Sequence, residues 1–251
     1  MKPDFKNRIV KIALPAAFWL AVWQGAAAWV GQELLIPSPL AVLRQLGELA
    51  VTFSFWRSAG YSLLRIFCGA LGGTFLGILS AVLTCCSRWA DRVLSPALRI
   101  IRATPVASFI ILLLLWFPTG RVPGIISGLM VLPVMWESVG AGIRNTPQEL
   151  LEMSRAYHFG RRKTVRYVYI PAIRPHFASG VCNAIGLAWK SGVAAEVLCL
   201  PKASIGTQIY YSKIYLETPS LFAWTFVVIV LSLLLEKLVR RILGVKGGDT
   251  A

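Results

Sequence analysis

The stretch Thr146-Pro147-Gln148-Glu149-Leu150-Leu151-Glu152-Met153-Ser154-Arg155-Ala156-Tyr157-His158-Phe159-Gly160-Arg161-Arg162-Lys163-Thr164-Val165-Arg166-Tyr167-Val168-Tyr169-Ile170-Pro171 is the longest polar insertion in an otherwise apolar chain. Thr146 followed three residues later by Glu149 has the spacing of a capping box, and Pro147 falls where a first helical residue needs no N–H. A helix is therefore predicted to start here, with Leu150, Met153 and Tyr157 on one face and Glu149, Glu152 and Arg155 facing elsewhere. Gly160 is expected to end it. A second, strongly basic helix should run from Arg161 until Pro171 breaks it. Taken alone, these residues specify a helix–turn–helix at a membrane surface.

Outward from this insertion the chain reads as membrane. Of its 251 residues 56% are hydrophobic and 15% charged, and several uncharged runs are long enough to cross a bilayer. The net charge of +15 would suit nucleic acid, but the basic residues gather in alternate loops, as the positive-inside rule requires. No nucleic-acid partner is expected. Cys68, Cys85, Cys86, Cys182 and Cys199 lack CxxC spacing and sit mostly inside apolar runs, as packing residues do. His158 and His176 form no metal-binding pattern, so no metal site is expected.

One membrane domain over 1–251 is predicted, with six spans near 12–30, 60–86, 94–117, 123–143, 176–200 and 219–240 and a loop over 146–175. Lys2, Lys6, Arg8 and Lys11 precede the first run; Ala26-Ala27-Ala28 offers a signal-peptide reading, but the run is long and a retained helix fits the later charge pattern. Ser38-Pro39 opens an amphipathic segment, Leu40–Val51, expected on the outer surface. Gly69, Gly73 and Gly77 form two overlapping GxxxG steps, a strip for close helix packing that could also pair two copies of the chain. Arg65, just before that run, reads as a snorkelling anchor. Both termini and the 146–175 loop are expected in the cytoplasm, in the inner or plasma membrane.

Ionisable residues inside spans are costly and turn toward the bundle interior. Arg102, beside Thr104, suits either a headgroup anchor or a lining residue of a polar path. Glu137 suits either a structural pair or a substrate contact. Lys190 and Glu196 lie six residues apart in the fifth span.

Glu152 and Pro171 are spaced as in the cytoplasmic "EAA" loop of ABC importer permeases, which this stretch resembles. Met153-Ser154 stand for the family's two alanines, Val168-Tyr169-Ile170-Pro171 for its closing Ile-x-Leu-Pro, and His158 for its glycine. Arg102-Ala103-Thr104-Pro105-Val106-Ala107, Trp189 through Ala195-Glu196, and Ser204-Ile205-Gly206 are similar to segments of nitrate, sulfonate and taurine importer permeases. The resemblance runs from about Pro37 to Arg241. It implies an all-α integral membrane protein with a MetI-like permease fold, whose loop docks on a separate ATPase through Glu149, Glu152, Ser154, Arg155, Ala156, Gly160, Arg161 and Pro171. It further implies an extracytoplasmic solute-binding protein and a second permease copy as partners, with lipid around them. A translocation path would draw on Arg102, Thr104, Glu137, Lys190 and Glu196.

The chain has no Gly-x-Ser-x-Gly and no Gly-x-x-x-x-Gly-Lys-Ser/Thr, so an enzyme or nucleotide-hydrolysing role is not expected of it, and no cofactor is expected beyond ATP on a partner. Two functions fit. One is the membrane subunit of an ATP-driven importer for a small solute such as a sulfonate, nitrate, taurine or a thiamine-precursor pyrimidine. The other is a membrane-embedded enzyme or assembly factor with a cytoplasmic docking hairpin.

Overall fold

A computed structural model describes the backbone of residues 5–244 and the side chains of residues 14, 15 and 17–244. Lys2 falls outside this range, as do the side chains of Lys6, Arg8 and Lys11. In chain order the helices are α1 (Phe5–Val30), α2 (Pro39–Ala50), α3 (Phe53–Cys86), α4 (Arg88–Ala103), α5 (Val106–Leu114), α6 (Val122–Arg144), α7 (Gln148–Ala156), α8 (Arg161–Thr164), α9 (Ile170–Cys199), α10 (Ile205–Ile214) and α11 (Thr218–Leu243). A π turn, Val165–Tyr169, joins α8 to α9. Among the described residues there is no strand.

Glycines set the core. A Cβ at Gly69 would fall on the backbone of Gly124, one at Gly73 on Gly128, and one at Gly77 on Leu132 and Met135. Residue numbers rise together across these contacts, so α3 and α6 run parallel with their backbones in direct apposition. The glycine strip is thus consumed within one chain, which corrects the expectation that it could pair two copies. Its complement, Gly124-x-x-x-Gly128, was equally readable in the sequence.

The third packed helix, α9, runs the other way. Gly142 meets Ile173 and His176, Gly180 meets Ser138, and Gly192 meets Ile66 and Ser127. Polar side chains tie the three together: Trp136 Nε1 donates to Thr84 Oγ1 at 3.0 Å, and Ser127 Oγ to the Ala188 carbonyl at 3.2 Å. Trp189, fully buried, donates from Nε1 to the Val228 carbonyl at 3.0 Å and fixes α11 against α9. Each indole N–H reaches a partner, as a ring buried in an apolar bundle needs.

Helices α3, α6 and α11 are each long and apolar enough to cross a membrane, and α4 with α5 is so only as a pair bent by 102°. The stretch expected as a span over 94–117 is therefore divided between two helices, the first of which begins at Arg88. Pro105 cannot continue the hydrogen-bond ladder and holds Thr104 in extended backbone, so the chain turns there. The other two expected spans fall on α9 and α1. The connection between the expected fifth and sixth spans, 200–219, contains α10, capped by Ser204, whose Oγ accepts from the Thr207 amide at 3.2 Å.

Candidate functional site

Helix α7 lies between α6 and α9 in the chain yet packs only lightly on the π turn. Thr146 does not cap it. The Thr146 hydroxyl donates instead to the Gly142 carbonyl at 3.1 Å, closing the end of α6, and Pro147 becomes the cap of α7 with no side-chain bond. A hydroxyl one turn from a free helical carbonyl finds its acceptor behind it, which outcompetes the capping box.

The helix ends at His158, not at Gly160. His158 has φ +50, the Phe159 amide donates to the Ser154 carbonyl at 2.8 Å, and the His158 amide to Arg155 at 3.0 Å. This pair of bonds is a Schellman motif with histidine at the left-handed position. Gly160 has φ −66 and starts α8. Histidine is among the few side chains that enter left-handed backbone readily, so the turn survives without the glycine the resemblance placed there.

Leu150, Met153 and Tyr157, on one face of α7, are exposed, Tyr157 at 74%. Glu149, Glu152, Arg155, Ala156, Gly160, Arg161 and Pro171 are exposed as well. Ser154 is the exception. It is 3% exposed, with its hydroxyl on the Leu151 carbonyl at 2.8 Å, so it supports α7 from within and is corrected as a docking residue.

Pro171 does not break the second helix. It occupies the start of α9, and the helical path runs on from Arg161 to Cys199. A proline ring would strike the carbonyl four residues earlier in a regular α-helix. The π turn widens the preceding coil: the Ile170 amide reaches back five residues to Val165. The expected 146–175 hairpin is therefore α7 plus a short turn, and its basic arm is the foot of α9.

The proposed path residues separate into two groups. Arg102, at the last turn of α4, is paired with Glu137 of α6, and both are largely exposed in the single chain. Thr104, at the same bend, donates to the Ile100 carbonyl at 2.8 Å. Lys190 is exposed on α9 and joins no ion pair among the described residues. Because α6 and α9 are antiparallel, with Ser127 beside Ala188 and Ser138 beside Gly180, Lys190 lies well along the bundle from Glu137.

Glu196 is elsewhere in kind. Fully buried, its carboxylate accepts from Ser62 Oγ at 2.7 Å, from Arg65 Nη1 at 2.8 Å, and from the Gly206 amide at 3.2 Å. Ser62 in turn accepts from the Ile205 amide at 2.9 Å. One carboxylate thus joins α3 and α9 to the first turn of α10, where free amides favour an anion. Arg65, 17% exposed at the side chain, is a half-buried partner of Glu196 and is corrected as a snorkelling anchor. Ser62 and Arg65, three apart on one helical face, were the legible hint of a polar receptor.

The sequence matches the family model described as "Binding-protein-dependent transport system inner membrane component" over residues 73–243. A "Probable ABC transporter permease protein" of Haemophilus influenzae is 31% identical over 92% of this chain and 94% of its own length. The taurine transport system permease protein TauC of Escherichia coli is 23% identical over 85% of this chain and 80% of its own. Among solved structures, a subunit of the MetNI methionine ABC transporter superposes with a TM-score of 0.65 at 16% identity, covering 77% of this chain and 96% of that one.

Proposed function

The chain belongs to the binding-protein-dependent transport system inner membrane components, and from that premise we propose that it forms the translocation path for a small anionic solute and couples to a separate ATPase through α7. That it is an ABC importer permease subunit follows from the family. The solute and the coupling are our reading.

The observation that carries the coupling is the independence of α7. It barely touches its own bundle, yet it shows Leu150, Met153 and Tyr157 on one side and Glu149 and Glu152 on the other. Such a helix gains its packing from a second protein, and a rigid joint through α8 and the π turn carries its displacement into α9. Two copies of the chain would enclose a path between them, with an extracytoplasmic binding protein delivering solute. Arg102, Thr104, Glu137 and Lys190 are the groups open to such a path. Lys190, exposed and in no ion pair among the described residues, suits an anion, and the taurine relative supports a small sulfonate; Glu196, enclosed and fully bonded, supports the bundle around it.

Loss of a charged contact at a docked interface costs about 2–5 kcal/mol. Glu152→Lys is therefore expected to lose the cognate ATPase in pull-down and to abolish uptake, while the chain stays inserted. Glu48→Lys on α2 should retain both. Full ATPase capture and wild-type uptake by Glu152→Lys would rule out α7 as the coupling element.

A further inference from the structure

The end of the bundle that carries α7 has a feature that transport does not call on. A cavity of about 370 Å³ opens between Pro171, Arg174 and Ala178 of α9 and Leu243 and Gly244 at the end of α11. Arg174 also lines a second cavity of about 340 Å³, walled by Ile78 and Val82 of α3 and by Val165 and Tyr169 of the π turn. A third, of about 300 Å³, lies between α3, α9 and α11, with Leu71, Val181, Leu235 and Val239 among its walls.

These spaces share walls. Leu243 lines the first and third, Arg174 the first and second, and Phe177 the second and third. The first is the mouth, with Arg174 on its wall, and two hydrocarbon slots adjoin it on either side of Phe177. From Leu243 to Leu235 the third slot follows α11 for about 12 Å of helical rise.

The mouth is basic. Arg174 is exposed and joins no ion pair among the described residues. Arg166 precedes it in the π turn, and Arg240 and Arg241 close α11 beside Leu243. The nearest carboxylate on α11, Glu236, lies deeper, directed at Gly186.

We propose that this mouth and its slots bind one anionic phospholipid, with the phosphate on Arg174 and an acyl chain on each side of Phe177. A guanidinium at a membrane interface pairs with phosphate through a fork of N–H donors. A basic pocket between membrane helices on the positive side is where an acidic headgroup is favoured. A soluble anion would satisfy the arginine and leave both slots unfilled; a two-chain lipid meets the whole feature with one molecule. The inference needs only a membrane-embedded chain and stands apart from the coupling role of α7.

The test is native mass spectrometry of the purified full chain in neutral detergent, with phosphatidylglycerol or phosphatidylcholine of identical acyl chains added. One phosphatidylglycerol should be retained in preference to phosphatidylcholine. Arg174→Gln should lower that retention on the order of tenfold, the weight of one charge-assisted contact. Val181→Trp, which fills the third slot, should lower it too, and Arg121→Gln in a different groove should not. Arg174 is a surface residue, so its variant tests the site even if Val181→Trp fails to fold. Equal retention of the two lipids would overturn the proposal. So would unchanged retention in Arg174→Gln, or displacement of the lipid by millimolar inorganic phosphate.

Discussion

At the scale of single residues, two positions hold more than their type suggests. His158 sits at φ +50, where a side chain costs about 1–2 kcal/mol that glycine avoids. Allowing for the greater flexibility glycine regains on unfolding, His158→Gly should stabilise the α7 turn by about 0.5–1 kcal/mol. Slower hydrogen exchange at the Phe159 amide would report it, whereas Gly160→Ala, at φ −66 with open space around it, should leave exchange unchanged. Arg65 holds the other position. Arg65→Met would leave Glu196 without its cation in a fully buried place, at about 3–5 kcal/mol. Unfolding titrations of Arg65→Met, Glu196→Gln and the double variant should show the double variant less damaged than the sum of the singles, and strict additivity would contradict the network drawn around Glu196.

At the scale of elements, the parallel seam of α3 and α6 is the least tolerant contact. Gly73→Leu would place a branched side chain where the Gly128 backbone now lies, so the two helices must separate. A loss of more than about 2 kcal/mol is expected, together with failure of the chain to accumulate as a monodisperse species. Wild-type stability in that variant would mean the seam is not as close as drawn. The glycine spacing made this strip and its complement legible in the sequence, but not that the two meet, because nothing in a local pattern tells an internal seam from one between copies. The same limit explains the turn after α7. Sequence signals named Gly160, and the hydrogen-bond ladder chose His158. At Pro171 the expected break became a π turn, since a packed α9 gains more by widening one coil than by stopping. Glu196 stood out in the sequence as an intramembrane charge, while its partners, 131 and 134 residues away, are set by tertiary packing alone.

At the scale of the whole molecule, the alternation of directions sets the topology. With α3 and α6 parallel and α9 opposed to both, Arg88, Arg162 and Arg241 lie toward one end of the bundle, and Arg44, Arg121 and Lys213 toward the other. The positive-inside rule assigns the first group to the cytoplasm. Single cysteines at these positions should separate into the same two groups when labelled by a membrane-impermeant reagent in intact cells. A cysteine at 162 that labels from outside would invert the orientation and remove α7 from the reach of any cytoplasmic ATPase. The all-helical fold class was legible from apolar runs and charge placement, whereas the bend at Pro105 and the buried end of α10 were not, because both depend on what lies across the bundle.

The π turn also fixes an angular phase. It holds one residue more than the α-helical coil it interrupts, and an α-helix advances about 100° and 1.5 Å per residue. A turn that closes with one extra residue absorbs it, so α7 keeps nearly the bearing it would have on an uninterrupted helix one residue shorter. The same residue added to regular helix would turn everything before it by about 100° around the axis of α9, and the exposed side of α7 would point to a different quadrant. The π turn thus lets the spacing from Glu152 to Pro171 change in length while the compass setting of α7 stays nearly fixed.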